Sequence, residues 1–588
     1  MSSLRQKQIN ALKQMLNLNQ PQTKLSASEP KWKVLIYDSV GQDVISVLIS
    51  VKELRELGVT LFVQLHSDRD PIPEVPAVYF CAPTDENLGR IAQDFQRGVY
   101  DIYHLNFISA ISRQKLEDLA SAALQANCVA NIHKVYDQYV NFISLDDDMF
   151  ILKNQNSDAL SYYAINKGDT KDTEMDEITD RIVDCLFSVF VTLGNVPIIR
   201  SPKGNAAEMV AKKLDKKLRE NLADARNNLL HSDAQAGNFN FQRPLLIILD
   251  RNVDMATPLH HTWTYQALAH DLLNLSLNRV IIEETTPSGG ARAKNRSCEL
   301  DTKDKFWLAH KGSPFPTVAE AIQEELEQYR SSEEEVKKLK TSMGIDGESD
   351  IALSLVSDNT AKITSAVNSL PQLLEKKRLI DMHTSIATSL LNGIKSRKLD
   401  NFFELEEKIM SESDLKRYET ALSETGCDLS PIQYIKRWKN YAKMISGPNQ
   451  YEGAGTKTVS MFSKLVSHGS NFVMEGVKNL VIKRHNLPVT RIVDHLMEFK
   501  NSQEMDEYHY LDPKQLRVTE IPRNRSPFQD AIVFVVGGGN YIEYQNLVDY
   551  AKQKTSAGST KRITYGSSTL TNAKQFLKQL SLLGQEMV

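Results

Sequence analysis

A chain of 588 residues is too long for one hydrophobic core, so roughly two to four domains are expected. Its 70 basic residues against 74 acidic ones give a formal charge of −4, which offers no global attraction to nucleic acid or anionic lipid; apolar (41%) and charged (24%) contents are those of a soluble globular protein. Cys81, Cys128, Cys185, Cys298 and Cys427 stand singly with no CxxC spacing, which argues against a disulfide or zinc framework and for reduced thiols in the cytosol.

Leu4, Ile9, Leu12, Met15 and Leu16 recur at helical spacing, predicting a short amphipathic helix before a Ser- and Pro-containing linker over residues 1–30. It has no continuous apolar core, so it does not read as a secretory signal. Over residues 31–154, Val34–Tyr37, Thr60–Val63, Ala77–Phe80 and Asp101–Leu105 read as short buried strands separated by helical segments such as Ile45–Glu56. That alternation predicts a parallel sheet with helices on both faces. The turn Tyr37-Asp-Ser-Val-Gly-Gln lacks both GxGxxG and a P-loop lysine, so the domain is Rossmann-like in order with no nucleotide expected. Within it Leu116, Leu119, Ala120, Ala123 and Leu124 form one helix face, and Ile132 and Val135 return on the next. Small alanines among leucines suit a shallow pocket and equally suit plain helix packing.

A second α/β region starts near Gln155, with a helix over Thr173–Thr192, a strand at Val196–Ile199 and a charged helix over Ala206–Leu229. The most apolar stretch, Ile182–Ile199, carries Asp184, Gly194 and Pro197 and reads as a buried helix running into a strand, not a membrane span. Leu245–Leu249 follows, five apolar residues in a row, as a strand covered on both faces. Asp250, Asp254, Thr257, Pro258, His260 and His261 then stand at its C-terminal edge, where open α/β sheets bind ligands. Adjacent histidines diverge by about 100° on a helix, however, and make no facing metal pair. The turn gives each residue a structural task instead: the aspartates accept backbone hydrogen bonds, Thr257-Pro258 starts a helix, and Trp263 and Tyr265 pack.

A partner strand appears only at Ala531–Val536, followed by Gly537-Gly-Gly-Asn540 and a helix over Tyr541–Gln553. A strand, a glycine turn and a helix suggest phosphate binding. The fingerprint nevertheless needs glycine where Ile542 stands, and no Lys-Ser/Thr follows. Residues 155–254 and 499–588 are therefore expected to form one discontinuous domain around a mostly helical insertion, 255–498. In that insertion Thr285–Arg296 and Gly344–Asp350 are polar loops, and Val318–Met343 is a charged helix that cannot be buried all round. Its longer neighbour, Asn359–Met410, is expected to kink or break at Pro371. Over 447–483, Phe462, Leu465, Val466, Phe472 and Val473 recur at helical spacing among Ser, Gly, His and Asn, as a helix that lies on membrane or folds back as a lid.

Leu249-Asp-Arg-Asn-Val-Asp254 with Thr257-Pro-Leu-His-His-Thr-Trp-Thr-Tyr-Gln-Ala-Leu268 closely resembles the SM (Sec-one/Munc-eighteen-like) family, the cytosolic partners of SNAREs in membrane fusion. The likeness extends through Lys31-Trp-Lys-Val-Leu-Ile-Tyr-Asp38, Asp68-Arg-Asp-Pro-Ile-Pro73, Lys311-Gly-Ser-Pro-Phe-Pro316 and Gly537-Gly-Gly-Asn-Tyr-Ile-Glu-Tyr-Gln-Asn-Leu-Val548, and points to its ER-Golgi Sly branch. The resemblance implies an arch-shaped fold of two parallel-sheet α/β domains and a mostly helical third domain, without catalysis, cofactor or small-molecule substrate. It implies a syntaxin-type Qa-SNARE whose N-terminal peptide enters a groove on the first domain, at the matching positions Leu116, Leu119, Ala120, Ile132 and Val135. It also implies that a projecting hairpin, Val318–Leu370 here, holds SNARE helices, an R-SNARE among them, with 447–483 as lid or membrane contact on ER and Golgi membranes. One departure is visible: after Glu406-Glu-Lys-Ile-Met410 the family has a further apolar helix that this chain lacks, and its loss is expected to leave a cavity or exposed apolar patch. The rival class is a hydrolase using Asp250, Asp254 and His260, or a nucleotide binder using Gly537–Gly539.

Overall fold

Short apolar runs alternating with amphipathic helices close into two α/β sheets and a separate helical unit. The computed structural model describes residues 3–20, 31–152, 158–224, 229–230, 243–273, 275–284, 294–300, 302–342, 356–402, 406, 425–446, 486–500, 507–515 and 526–586. One compact unit comprises 1–259, 422–452 and 486–588; the other comprises 260–421 and 453–485.

The first sheet is made from β1 (Lys33–Tyr37), β2 (Val59–Gln64), β3 (Ala77–Cys81), β4 (Tyr103–Phe107) and β5 (Ile132–Asp137). They lie in the order β2-β1-β3-β4-β5, all parallel. The helix expected over Ile45–Glu56 is two, Ser39–Leu48 and Val51–Glu56, because Ser50 forms a capping box with Glu53 and restarts the helix. Leu88, Ile91 and Phe95 from the helix Asp85–Arg97 pack with Leu119 and Ala123 from the helix Arg113–Gln125 against Ile36, Tyr79, Leu105 and Phe107. Ile132 and Val135, read as returning on a further helix face, stand on the edge strand β5. Asn127, at φ +53°, and the 3-10 turn Val129–Asn131 reverse the chain after the helix, and the β-branched residues then pair with β4.

The second sheet draws on distant segments. β6 (Ile143–Asp146), β7 (Met149–Ile151), β8 (Ile198–Ser201) and β9 (Leu245–Asp250) come first. After the hairpin β10 (Arg279–Glu284) and β11 (Lys294–Glu299) of the other unit, the chain returns as β12 (His509–Leu511), β13 (Asp530–Val536) and β14 (Arg562–Ser567). The order is β12-β8-β9-β13-β14-β7-β6, with only the outer pairs β12·β8 and β6·β7 antiparallel. β9 lies between β8 and β13 in the middle of the sheet and is buried along its whole length, with Leu246 and Ile248 in the core on one face, as five consecutive apolar residues require. β6 and β7, inside the range expected for the first domain, thus belong to the second sheet. The opening helix Leu4–Leu16 is fastened there too: Arg5 Nη1 donates to Ser144 O (2.9 Å) and Gln8 Nε2 to Phe142 O (2.6 Å).

Two helices expected in the insertion pack in the first unit. Tyr434, from Ser430–Ser446, meets Tyr162 and the Phe576–Leu580 face of Ala573–Gln585. Gly584 makes that approach possible, since a Cβ there would stand 2.2 Å from Ser430 O. From Pro488–Glu498, Asp494 accepts a hydrogen bond from Tyr550 (2.7 Å).

In the second unit the helix after the turn begins at Tyr265, since Thr257–Leu259 is a single 3-10 turn. The hairpin β10·β11 was not expected in this region. The helices Phe315–Ser342 and Val356–Arg397 run side by side, linked by Lys376 to Glu325 (2.7 Å). The second continues through Pro371, which removes one backbone donor but does not end it. Tyr265 Oη and His383 Nδ1 share a hydrogen bond (2.9 Å), and His383 Nε2 meets Asp304 Oδ2 (2.7 Å) in a buried relay. Burial works to raise the Asp304 pKa, but the bonds from His383 and from the Trp307 N–H outweigh it and hold the group below its ordinary value.

Candidate functional site

The helix Arg113–Gln125 starts at Ser112, whose hydroxyl accepts from Lys115 N, and turns two faces in different directions. Leu119 and Ala123 are buried in the first-sheet core, while Leu116 is 40% exposed and Ala120 and Leu124 are exposed beside them. On β5, Ile132 is partly buried against the same core and Val135 is 38% exposed. β5 is a sheet edge, and Val135 pairs with the buried Leu105, so it stands on the face that this helix covers. Of the five positions read from the sequence, Leu116, Ala120, Ile132 and Val135 therefore offer apolar surface; Leu119 lies beneath as core.

Val129, 50% exposed in the turn between helix and strand, adds to this surface and was not singled out from the sequence. Its exposure follows from the 3-10 turn, which no periodicity announces. The rim is polar and already paired: Lys115 Nζ holds Asp85 (3.0 Å) and Pro83 O (2.9 Å), and Arg113 holds Glu117 (2.8 Å). At the strand's end Asp137 accepts from Ile111 N (3.1 Å); burial raises its pKa. Such a surface can take an apolar side chain. Phe462, Leu465, Val466, Phe472 and Val473 lie outside the described residues.

The aspartates and glycines of the rival reading are taken up by the turns they stand in. Asp250 Oδ1 accepts from Asn252 N (2.9 Å), and burial raises its pKa. Asp254 Oδ1 accepts from both Ala256 N and Thr257 N (3.0 Å each), closing the turn. At the glycine turn Gly537 (φ +93°) and Gly538 (φ +115°) adopt the left-handed region. A Cβ on Gly539 would stand 2.3 Å from Tyr565 Oη. Above them Arg251 donates to both oxygens of Glu543 (3.0 and 2.5 Å) and to Gly538 O (3.4 Å), and Tyr565 donates to Glu543 (2.7 Å). Glu543 sits in the first turn of the helix Tyr541–Ser556, and its N–H, one of the donors a phosphate would use, is already taken by Asn540 Oδ1 (2.8 Å).

The Sec1 family profile matches residues 33–429 and 415–579. The protein sly1 homolog of Drosophila melanogaster is 64% identical over 632 aligned positions, covering 100% of this chain and 99% of the relative. Those 632 positions exceed the 588 residues present here, so the relative carries residues this chain lacks. The human Sec1 family domain-containing protein 1 is 57% identical, covering 99% and 98%. Among solved structures, Sly1p in complex with an N-terminal peptide of Sed5p superposes with a TM-score of 0.77 at 29% identity, covering 100% of both chains. The SM protein Vps45 in complex with the Qa SNARE Tlg2 does so at 0.69 and 18% identity, covering 99% and 98%, a likeness of fold. With two parallel-sheet α/β regions, a helical unit and a family profile spanning most of its length, this chain belongs to the Sec1 family.

Proposed function

We propose that this chain is a non-enzymatic regulator of vesicle docking and fusion in ER-Golgi transport, cytoplasmic and peripherally bound to those membranes. It binds the N-terminal peptide of a syntaxin-type Qa-SNARE between the helix Arg113–Gln125 and β5, and arranges SNARE helices, an R-SNARE included, along the helical pair in Phe315–Arg397. The observation that carries this reading is the apolar surface of Leu116, Ala120, Ile132 and Val135 beside an open sheet edge, in a chain resembling a protein solved with such a peptide. Burying one phenylalanine there contributes about 1.5–3 kcal/mol. Holding helices side by side lowers the cost of nucleating the first turns of a helix bundle, which form poorly alone.

Calorimetric titration of a Qa-SNARE N-terminal peptide tests the first site. Leu116→Lys and Val135→Lys are the informative variants, since both side chains reach solvent and the folded state tolerates a charge there. The expected outcome is loss of binding with unchanged thermal unfolding. Full binding by both folded variants removes the groove from the reading.

A further inference from the structure

The face of the first sheet turned away from the helix Arg113–Gln125 carries basic side chains at its β4–β5 side. His104 on β4 is in register with Lys134 on β5, and both alternate with the Leu105–Val135 pair, so they point to the opposite face. At the register shift the His133 ring stands 5.6 Å from the His104 ring. His104 is 6% exposed, yet its Nδ1 has no hydrogen-bond partner among the described residues. A buried nitrogen in that condition is unfavourable and rare in folded proteins.

Burial first, and then His133, Lys33, Lys134 and Lys31, hold the His104 pKa down at about 4. Lys33 is already engaged, its Nζ donating to Leu16 O (2.8 Å) and Leu57 O (2.7 Å), and burial lowers its pKa to about 8. Lys31, His133 and Lys134 are exposed and form no ion pair among the described residues; the Lys134 ammonium lies over the Tyr136 ring, 5.8 Å from its centre. Asn106, two residues along β4, closes the cluster on that side, accepting from Asn19 (3.0 Å) and Gln138 (2.9 Å). Cations gathered around a neutral, unpartnered imidazole raise one another's energy unless an anion joins them.

We propose that Lys31, His104, His133 and Lys134 form a binding site for a phosphate group, carried by a soluble phosphate ester or by a lipid headgroup. A phosphate accepts several charge-assisted hydrogen bonds at once, which suits ammonium and imidazole donors on two neighbouring strands with a further lysine in the segment before β1. Trp32, 73% exposed beside Lys31, has the chemistry of a residue that settles at the headgroup level, which favours the lipid source. Because the bound anion stabilises the imidazolium, His104 takes up a proton on binding. Its pKa is higher in the bound than in the free protein, so binding draws a proton onto His104 and strengthens as the pH falls through the range in which the phosphate keeps its charge. The site lies on the opposite face from the peptide groove and is independent of it.

The test uses the full chain, the Lys31→Gln/Lys134→Gln double variant and His104→Asn, with matched circular dichroism melts. Inositol trisphosphate is titrated calorimetrically in two buffers of different ionisation heat, and flotation is measured on vesicles with and without phosphatidylinositol phosphate. The expected result is binding with proton uptake that His104→Asn abolishes, and a loss of roughly fivefold per lysine removed. The double variant alters only exposed side chains, so it keeps the test valid if His104→Asn fails to fold. Binding to vesicles but not to the soluble ester identifies the headgroup as source, and the reverse identifies a free ester. Absence of both, binding without proton uptake, or equal binding by the folded double variant overturns the site.

Discussion

The two α/β sheets follow one building rule and reach opposite ends. The first is made from consecutive strands, 33–137, and finishes on an open edge, β5, with apolar side chains exposed beside it. The second collects strands from 143 to 567, and the turn at its β9–β13 boundary, where such sheets often bind ligands, is filled by Arg251, Glu543 and Tyr565. One sheet offers surface and the other spends its polar groups on itself. A strand, a glycine turn and a helix in sequence therefore do not by themselves leave a site open, because side chains from the same sheet can fill the turn.

The sharpest way to break this contrast is to empty the second sheet's turn. Glu543→Ala leaves Arg251, 1% exposed, without its counter-charge and is expected to cost about 3–5 kcal/mol in urea unfolding. Peptide affinity of the molecules that remain folded stays unchanged. A cost below about 1 kcal/mol would mean that this ion pair is not structural. Next in size, Leu119→Ala removes a core side chain of the first sheet and is expected to cost about 2–5 kcal/mol. Hydrogen exchange should then rise over 33–137 ahead of the second sheet.

Leu116→Lys sharpens the same point from the other side, three residues away on the same helix. Stability moves by no more than about 0.5 kcal/mol, while peptide affinity falls by about 1.5–3 kcal/mol, on the order of ten- to a hundredfold. If Leu116→Lys instead unfolds the protein as Leu119→Ala does, the division of this helix into core and surface is wrong. The smallest effect is in acid. Burial works to raise the Asp494 pKa, but hydrogen bonds from Lys500, Tyr550 and Lys554 outweigh it and bring it to about 2. The group's contribution is present above the ordinary aspartate range and is lost as pH falls toward about 2. Tyr550→Phe should weaken that acid dependence in melts recorded across the range, with little change at neutral pH.

Much of the fold was legible where pattern and burial coincide. Val34–Tyr37, Ala77–Phe80 and Leu245–Leu249 read as strands because they are buried on both faces, and they are. The segment Ile132–Asp137 was misread because its exposure, high at His133, Lys134 and Val135, gives no strand alternation. β6, β7, β10, β11, β12 and β14 were missed, the last although it pairs along its length with β13. At the candidate groove Leu116 and Leu119 share one helical spacing in the sequence, and only burial separates the core residue Leu119 from the exposed Leu116.

By itself the sequence determined the fully buried strands, the absence of a nucleotide fingerprint and the Sec1 family likeness, since these rest on spacing along a few residues. Tertiary structure alone decided that β6 and β7 join the second sheet, that Ser430–Ser446 packs near Tyr162, that Arg251 meets Glu543, and that His104 stands among cations. The reason is physical: hydrogen-bond partners and burial between residues hundreds of positions apart follow from how surfaces close on one another, which no local period encodes.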